Sequence, residues 1–212
     1  MKFNMARLKY LTMSDQKIPR TIFALPNLLT YARILLIPLI FWLIFRFNYG
    51  HANIVATALF AAASITDYLD GYFSRKWKLV SELGKFLDPI ADKLLVVAVL
   101  VALSAVKFGG FITAVATVII MREIFVSGLR EYLGNAQVQM PVSRLAKWKT
   151  ASQFLAVSFL IFGFPVFMGE GLYYSVLVLA YDVGVVLLVV SALLTLITGL
   201  QYLGKAFRHM KS

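Results

Sequence analysis

Long apolar stretches alternate with short polar segments along the whole chain. An α-helix needs about 20 residues to cross the roughly 30 Å hydrocarbon core of a bilayer, and each stretch reaches that length. The pattern therefore predicts an all-α, polytopic membrane protein with six transmembrane helices. The expected spans are residues 25–46, 53–75, 84–106, 110–132, 147–168 and 174–203. We expect residues 21–212 to form one transmembrane domain.

Glycine and proline mark the expected ends of several spans. Gly109 and Gly110 separate the third span from the fourth, and Gly163 with Pro165 should kink or end the fifth. Ahead of the first span, residues 1–20 are polar and basic. That segment is predicted to lie on the membrane surface as an amphipathic juxtamembrane segment, with a disordered tail as the alternative.

Composition supports the membrane assignment and excludes several kinds of site. The chain is 60% hydrophobic and only 15% charged, which is far from the average of soluble domains. It has no cysteine, so disulfides, thiolate zinc sites and thiol nucleophiles are excluded. Its two histidines, His51 and His209, are far apart in sequence, which argues against a histidine metal cluster.

Lysine and arginine concentrate in alternate loops, which predicts the orientation in the membrane. The N-terminal segment, the second and fourth loops and the C-terminal tail are basic, whereas the other loops hold only Arg46 and Lys107. By the positive-inside rule, both termini then lie in the cytoplasm. The net charge of +11 indicates attraction to anionic lipid headgroups and anionic substrates. No motif for binding nucleic acid accompanies it.

Four aspartates lie within the second and third apolar stretches. Asp67 and Asp70 are three residues apart, and Asp88 and Asp92 are four apart, so each pair shares a helix face. Because the loop between the two spans is short, we expect the spans to be antiparallel neighbours with both pairs at similar depth. Carboxylates in an apolar segment are costly unless they are paired or bind a cation.

The aspartate spacing leaves two functions open. Oxygen ligands favour hard cations, so the four carboxylates could hold two divalent ions, Mg²⁺ or Mn²⁺, that clamp a phosphoryl group. Alternatively, they could carry protons or sodium ions in a transporter. Further polar side chains at the same depth favour a phosphate-rich substrate, because arginine grips phosphate oxygens in pairs. They are Asn27, Thr30, Arg33, Arg122, Arg130, Lys147 and Lys149. Glu123 is expected to pair with Arg130 or Lys149.

The stretch from Asp67 to Asp92 resembles the signature of the CDP-alcohol phosphotransferase family. It has two aspartates and a glycine, a small residue and an arginine, then a glycine and two aspartates, all at the family's spacing. Ser74 stands where the family usually has alanine, and a small residue is kept. Similarity extends over most of residues 24–204, and it is strongest to the branch that joins CDP-diacylglycerol to sn-glycerol 3-phosphate with release of CMP.

The resemblance implies a role for each motif residue. Asp67, Asp70, Asp88 and Asp92 would hold the two metal ions, and Asp92 would also act as general base. The CDP moiety would be bound by Asn27, Asp70, Gly71, Ser74, Arg75 and Gly84. Apart from the resemblance, the cations of the fourth and fifth spans lie away from the aspartate motif and are the candidates to bind the acceptor phosphate: Arg122, Arg130, Lys147 and Lys149. Thr30 and Arg33 are further polar residues of the site.

The resemblance also implies a bacterial inner membrane protein whose active site faces the cytoplasm, and it is compatible with a homodimer. The motif alone does not choose the acceptor, so inositol phosphate, serine or a phosphatidyl lipid remain alternatives to glycerol 3-phosphate. A cation transporter remains the alternative from another class of protein.

The charge pattern makes a prediction about topology. A cysteine placed at Lys78 or Lys205 in this cysteine-free chain should be protected from a membrane-impermeant thiol reagent in intact cells. One placed at Asn48 or Glu170 should react, and the measurement is the fraction of protein labelled. The opposite labelling pattern would invert the predicted orientation.

Overall fold

The computed structural model describes residues 25–46, 50–77, 82–106, 109–135, 144–163 and 174–210, except for some side chains near helix ends. Within these residues the fold is all-helical, as predicted. The helices are α1 (Leu25–Arg46), α2 (Gly50–Trp77), α3 (Glu82–Val106), α4 (Gly110–Asn135), α5 (Arg144–Gly163) and α6 (Tyr174–Met210). The predicted juxtamembrane segment, residues 1–20, lies outside the described residues.

Four of these helices, α1, α3, α4 and α6, are long and apolar enough to cross a membrane. This confirms the membrane character of the chain. Helices α2 and α5 are also long, at 28 and 20 residues, but they carry more polar side chains. Their polar residues include Asn53, Asp67, Lys149 and Gln153. The number of six crossings therefore stays a prediction.

Glycines end the helices where the sequence predicts. Gly109 precedes α4, and its carbonyl accepts hydrogen bonds from the backbone N–H groups of Ile112 at 3.0 Å and Thr113 at 3.3 Å. Helix α5 ends at Gly163. Helix α6 is longer than expected, with 37 residues. At about 1.5 Å per residue it exceeds the roughly 30 Å of hydrocarbon, so its basic C-terminal end must project beyond the apolar layer.

Helix α1 packs against both α2 and α3, whereas α2 and α3 touch each other at few positions. The expectation that α2 and α3 are direct neighbours is therefore corrected: the first helix lies between them along most of their length. The reason is polar pairing, because α1 offers polar side chains to both aspartate-bearing helices. On the other side of the bundle, α6 packs closely on α5 and also on α4, and α5 contacts α2.

Most of the apolar core lies further along the bundle than the polar residues around Arg33. On α1, the fully buried Ile40 and Ile44 follow the buried Arg33 by two and three turns. The core continues across all six helices through Ala56, Phe60, Leu95, Leu103, Ile119, Leu160 and Leu188. Such close apolar packing fixes the helices relative to one another and so determines where the polar end groups meet.

Two glycines allow α5 and α6 to approach each other. A Cβ at Gly163 would lie 2.5 Å from the backbone nitrogen of Tyr181 and 2.9 Å from the backbone oxygen of Leu177. A Cβ at Gly184 would lie 2.8 Å from the side chain of Leu160. At Gly163 the obstacle is backbone, which cannot turn aside as a side chain can. Small residues at helix crossings are typical of packing inside membranes.

This packing predicts the effect of an added methyl group. Gly163→Ala should lower the free energy of unfolding by about 1–3 kcal/mol, because α5 and α6 must move apart. Gly128→Ala is the control, since a Cβ there meets nothing within 4 Å. Thermal unfolding of both variants in detergent measures the difference. Equal stability of the two variants would show that the crossing is looser than described.

Candidate active site

Arg33 of α1 lies at the centre of the polar end of the bundle, with its side chain fully buried. Its Nη1 is 2.5 Å from Oδ1 of Asp92 on α3 and 3.0 Å from Oδ1 of Asp67 on α2. The two carboxylates therefore face each other across a single nitrogen atom. Both are about one-third exposed, at 29% for Asp67 and 34% for Asp92, so they remain open to a ligand.

A second contact fixes the register of α1 on α3. The hydroxyl of Thr30 donates a hydrogen bond to Oδ1 of Asp88 at 2.6 Å. Thr30 lies one turn before Arg33, and Asp88 lies one turn before Asp92. Two polar stripes therefore run side by side, and Asn27 and Gly84 extend them as buried residues. The arrangement places Asp88 and Asp92 at the same end of the bundle as Asp67.

The remaining motif residues lie on the last turns of α2. Asp70, Gly71, Ser74 and Arg75 are within the helix, but their side chains are outside the described part of the structure. Among the side chains that are described, no three acidic or histidine residues converge closely enough to form a metal site. The described donors do have the right chemistry for a hard divalent ion, because Asp67, Asp88 and Asp92 offer only carboxylate oxygens. Arg33 can neutralise only one of these three charges.

A cavity of about 270 Å³ opens beside the carboxylates, between α2, α3, α4 and α5. Asp67 and Asp92 lie on its wall with Lys93, Glu123 and Lys149. Its apolar floor is formed by Leu100, Ile119, Phe154 and neighbouring aliphatic residues. The cavity thus combines acidic and basic side chains with an apolar base, which suits a ligand that has a phosphate group and an apolar part.

A second cavity of about 710 Å³ adjoins the first, between α3, α4, α5 and α6. Both are lined by Lys93, Glu123, Arg130, Lys149 and Thr150. Arg122 and Tyr202 contribute to the second cavity alone. Of the four cations predicted to bind the acceptor phosphate, three line this space; Lys147 is exposed and lines neither cavity.

The cations of this region differ in how they are held. Nζ of the buried Lys149 donates to Oε1 of Glu123, and Nη1 of Arg122 is 3.5 Å from the same oxygen. The expected pairing of Glu123 with Lys149 is confirmed. Arg130 is exposed, and its guanidinium lies over the ring of Tyr202 at 5.8 Å from the centroid. None of the described carboxylates pairs with Arg130, so its charge is available to an anion.

A family model for the CDP-alcohol phosphatidyltransferases matches residues 23–197. This chain belongs to that family. It is 46% identical over 178 residues to the CDP-diacylglycerol–glycerol-3-phosphate 3-phosphatidyltransferase of Rickettsia typhi, covering 84% of this chain and 94% of that protein. Proteins of the same name from Pseudomonas fluorescens and Cereibacter sphaeroides are 40% and 35% identical. Each alignment covers 89% of this chain, and 92% and 97% of the two relatives respectively.

The aspartate spacing left two classes of protein open, an enzyme and a cation transporter. Membership in the CDP-alcohol phosphatidyltransferase family shows that this chain is the enzyme. It also agrees with the chemistry of the carboxylates, because the family is generally dependent on a divalent metal. The bacterial relatives point to a bacterial inner membrane for this membrane protein.

Several residues that line the two cavities were not predicted as site residues. Lys93, next to Asp92, lines both cavities and its Nζ donates to the hydroxyl of Ser127 on α4. Thr150 and Tyr202 line the cavities as well. Lys93 could have been found from its position beside a motif aspartate. Tyr202 could not, because an aromatic residue near the end of a long apolar helix has an ordinary role at the membrane interface.

The Arg33 contacts predict a stability effect. Arg33→Met leaves Asp67 and Asp92 without their shared cation and should lower the free energy of unfolding by about 2–3 kcal/mol, less than for a wholly buried pair because both carboxylates are partly exposed. Arg46→Met, at the exposed end of the same helix, should be near neutral. Thermal unfolding measures both. Adding Asp67→Asn and Asp92→Asn to Arg33→Met should recover part of the loss; no recovery would contradict the charge argument.

Proposed function

We propose that this chain transfers the phosphatidyl group of CDP-diacylglycerol to the C1 hydroxyl of sn-glycerol 3-phosphate. The products are phosphatidylglycerophosphate and CMP. One observation carries the proposal: a cavity rimmed by Asp67 and Asp92 adjoins a cavity lined by Arg122 and Arg130. A carboxylate end and a cationic end suit a reaction between a nucleotide diphosphate and an alcohol that has its own phosphate.

The donor end is formed by α2 and α3. Asp67, Asp70, Asp88 and Asp92 would hold two divalent ions, Mg²⁺ or Mn²⁺, through oxygen atoms alone. When bound, these ions neutralise the diphosphate oxygens of the donor and stabilise the departing CMP. Asp67 and Asp92 support this assignment because both contact one guanidinium, that of Arg33. A fixed Arg33 also keeps Asp67 and Asp92 from separating when their charges repel.

The nucleotide would lie along the last turns of α2 and the start of α3. Gly71 and Ser74 are small enough for a base and ribose to approach the backbone of α2, and Arg75 would reach the diphosphate. Gly84 is buried at the first turn of α3, and Asn27 is buried at the first turn of α1. These two residues support a binding position for CDP between the cytoplasmic ends of α1, α2 and α3.

The acceptor end is formed by α4, α5 and α6. The phosphate of glycerol 3-phosphate would be bound by Arg122, Arg130 and Lys149, all of which line the second cavity. Arg130 is the principal candidate, because a guanidinium contacts two phosphate oxygens at once and no described carboxylate competes for it. Lys147, exposed at the start of α5, would act on the phosphate only from a distance.

The proton is transferred at the junction of the two ends. Asp92 lies on the wall of the first cavity, which shares Lys93, Arg130 and Lys149 with the second, where the acceptor phosphate would bind. Its carboxylate would take the proton of the C1 hydroxyl, and that oxygen would bond to the β-phosphorus. The bond from this phosphorus to the bridging oxygen breaks, and CMP leaves with the electron pair. No covalent enzyme intermediate is needed.

The membrane would bring the donor to the site. The diacylglycerol chains would stay in the lipid while the diphosphate reaches the polar end of the bundle. We place that end, together with both termini, on the cytoplasmic side, because the basic segments gather there. CDP-diacylglycerol is then taken from the inner leaflet, and the soluble acceptor and CMP exchange with the cytoplasm.

The activity itself can be tested with the purified full chain. CDP-diacylglycerol, Mg²⁺ and glycerol 3-phosphate should give CMP, whereas inositol phosphate, serine and phosphatidyl lipids should give little. EDTA should abolish release of CMP, and added Mg²⁺ or Mn²⁺ should restore it. Asp67→Asn should lower kcat by about 100-fold or more, since it removes a main electrostatic contribution. Full turnover in EDTA, or a preference for another acceptor, would contradict the proposal.

The acceptor end can be separated from the donor end by kinetics. Arg130→Ala should raise the KM for glycerol 3-phosphate, because one charge-assisted contact worth about 1.5–3 kcal/mol is lost, and should leave the KM for CDP-diacylglycerol nearly unchanged. Lys205→Ala is a control, as an exposed cation on the same side of the bundle. If Arg130→Ala instead weakens the binding of CDP-diacylglycerol alone, the acceptor phosphate lies elsewhere.

A further inference from the structure

The guanidinium of Arg122 is held by helix α6 more firmly than by its own helix. Its Nη2 donates to the hydroxyl oxygen of Thr198 at 2.6 Å, whereas Glu123 is 3.5 Å from its Nη1. The side chain of Arg122 is only 10% exposed. Thr198 is fully buried. A short hydrogen bond to a buried partner restricts an arginine, which otherwise has many rotamers.

The hydroxyl of Thr198 is itself oriented by the backbone. It donates to the carbonyl of Leu194 at 2.8 Å and lies 3.1 Å from the carbonyl of Thr195. A hydroxyl has one hydrogen to donate and two lone pairs to accept with. Because the hydrogen points back along α6, the lone pairs face Arg122. Thr198 therefore acts as a fixed acceptor for the guanidinium.

Gly199 allows Arg122 to lie against the backbone of α6. A Cβ at Gly199 would be 3.2 Å from Nε and 3.3 Å from Cγ of Arg122, so even one added methyl group would press on the side chain. By contrast, a Cβ at Gly204, on the same helix, would meet nothing within 4 Å. Glycine at position 199 therefore leaves the space that the side chain of Arg122 occupies.

The second arginine of α4 meets the same face of α6. Tyr202 follows Thr198 by four residues, one turn further along, and its ring lies under the guanidinium of Arg130. Tyr202 is buried with 6% exposure and lines the second cavity together with both arginines. Two residues one turn apart on α6 thus hold two arginines from α4, and both arginines line one cavity.

We propose that Thr198, Gly199 and Tyr202 form an arginine seat on α6 that positions Arg122 and Arg130 for the phosphate of the acceptor. The three are positioning residues, since they act through the two arginines. This inference rests on the proposed function. It adds that residues of α6 determine the affinity for the acceptor. Two guanidinium groups held in place before binding lose less conformational entropy when the phosphate arrives.

The first test removes the hydroxyl of Thr198 and keeps the shape of the side chain. Thr198→Val should raise the KM for glycerol 3-phosphate about tenfold, equivalent to about 1.4 kcal/mol, and leave the KM for CDP-diacylglycerol unchanged. Thr198→Ser keeps the acceptor oxygen and should stay near the unmodified protein. Thr195→Val is the matched control: Thr195 is fully buried one turn away, and its hydroxyl has no hydrogen-bond partner in the described structure.

The second test leaves the hydroxyl in place and displaces the arginine. Gly199→Ala should also raise the KM for glycerol 3-phosphate, whereas Gly204→Ala should not. Tyr202→Phe keeps the ring under Arg130 and should preserve the KM, whereas Tyr202→Leu removes the ring and should raise it. In the background of Arg122→Ala, Thr198→Val should have little further effect, because no arginine remains for it to hold.

These outcomes separate the arginine seat from the activity. Suppose that the unmodified protein releases CMP with glycerol 3-phosphate, and that Thr198→Val and Thr195→Val both have the same KM for glycerol 3-phosphate as the unmodified protein. The arginine seat is then refuted and the activity stands. An equal rise in both KM values, or additive effects of Thr198→Val and Arg122→Ala, would also refute it, because either result indicates general disturbance. If the unmodified protein releases no CMP with any acceptor, the proposed function fails, and the seat fails with it.

Discussion

One buried guanidinium determines how the polar end of this bundle is assembled. Arg33 has no exposed side-chain surface, and its Nη1 contacts carboxylates from two other helices. A charge removed from water costs several kcal/mol unless it is paired, and the partly exposed Asp67 and Asp92 would carry a smaller cost of the same kind. These contacts therefore favour one relative register of helices α1, α2 and α3. The hydrogen bond from Thr30 to Asp88 repeats the same register one turn away.

The place of α1 between α2 and α3 has a consequence for the site. If the two aspartate-bearing helices packed directly on each other, their carboxylates would close the space between them. With α1 inserted, Asp67 and Asp92 meet through Arg33 and open towards α4 and α5, where the first cavity lies. The carboxylates are thereby held close enough to act together, and they still face a space that a ligand can enter.

Sequence predicted the parts of this site that depend on spacing along one helix. The aspartate pairs and the all-α membrane fold follow from periodicity and from the cost of polar groups in lipid. The depth of Asn27, Thr30 and Arg33 follows from their position in the first span. Other parts of the site depend on how one helix is rotated against another, which spacing along a single helix does not give. They are the neighbours of α1, the contact of Tyr202 with Arg130 and the contact of Thr198 with Arg122. Apolar packing sets that rotation, and many apolar patterns are compatible with several rotations.

The two ends of the site are built on different helices, and this separation has a physical use. The carboxylates belong to α2 and α3, which are joined through α1; the arginines belong to α4 and rest on α6. Between them, Lys149 of α5 pairs with Glu123 of α4 at the boundary of the two cavities. If the arginines bind the acceptor as proposed, changes on the facing surfaces of α4 and α6 would alter acceptor recognition while the register around Arg33 stays intact. On this proposed arrangement, acceptor recognition can change without changes among the aspartates.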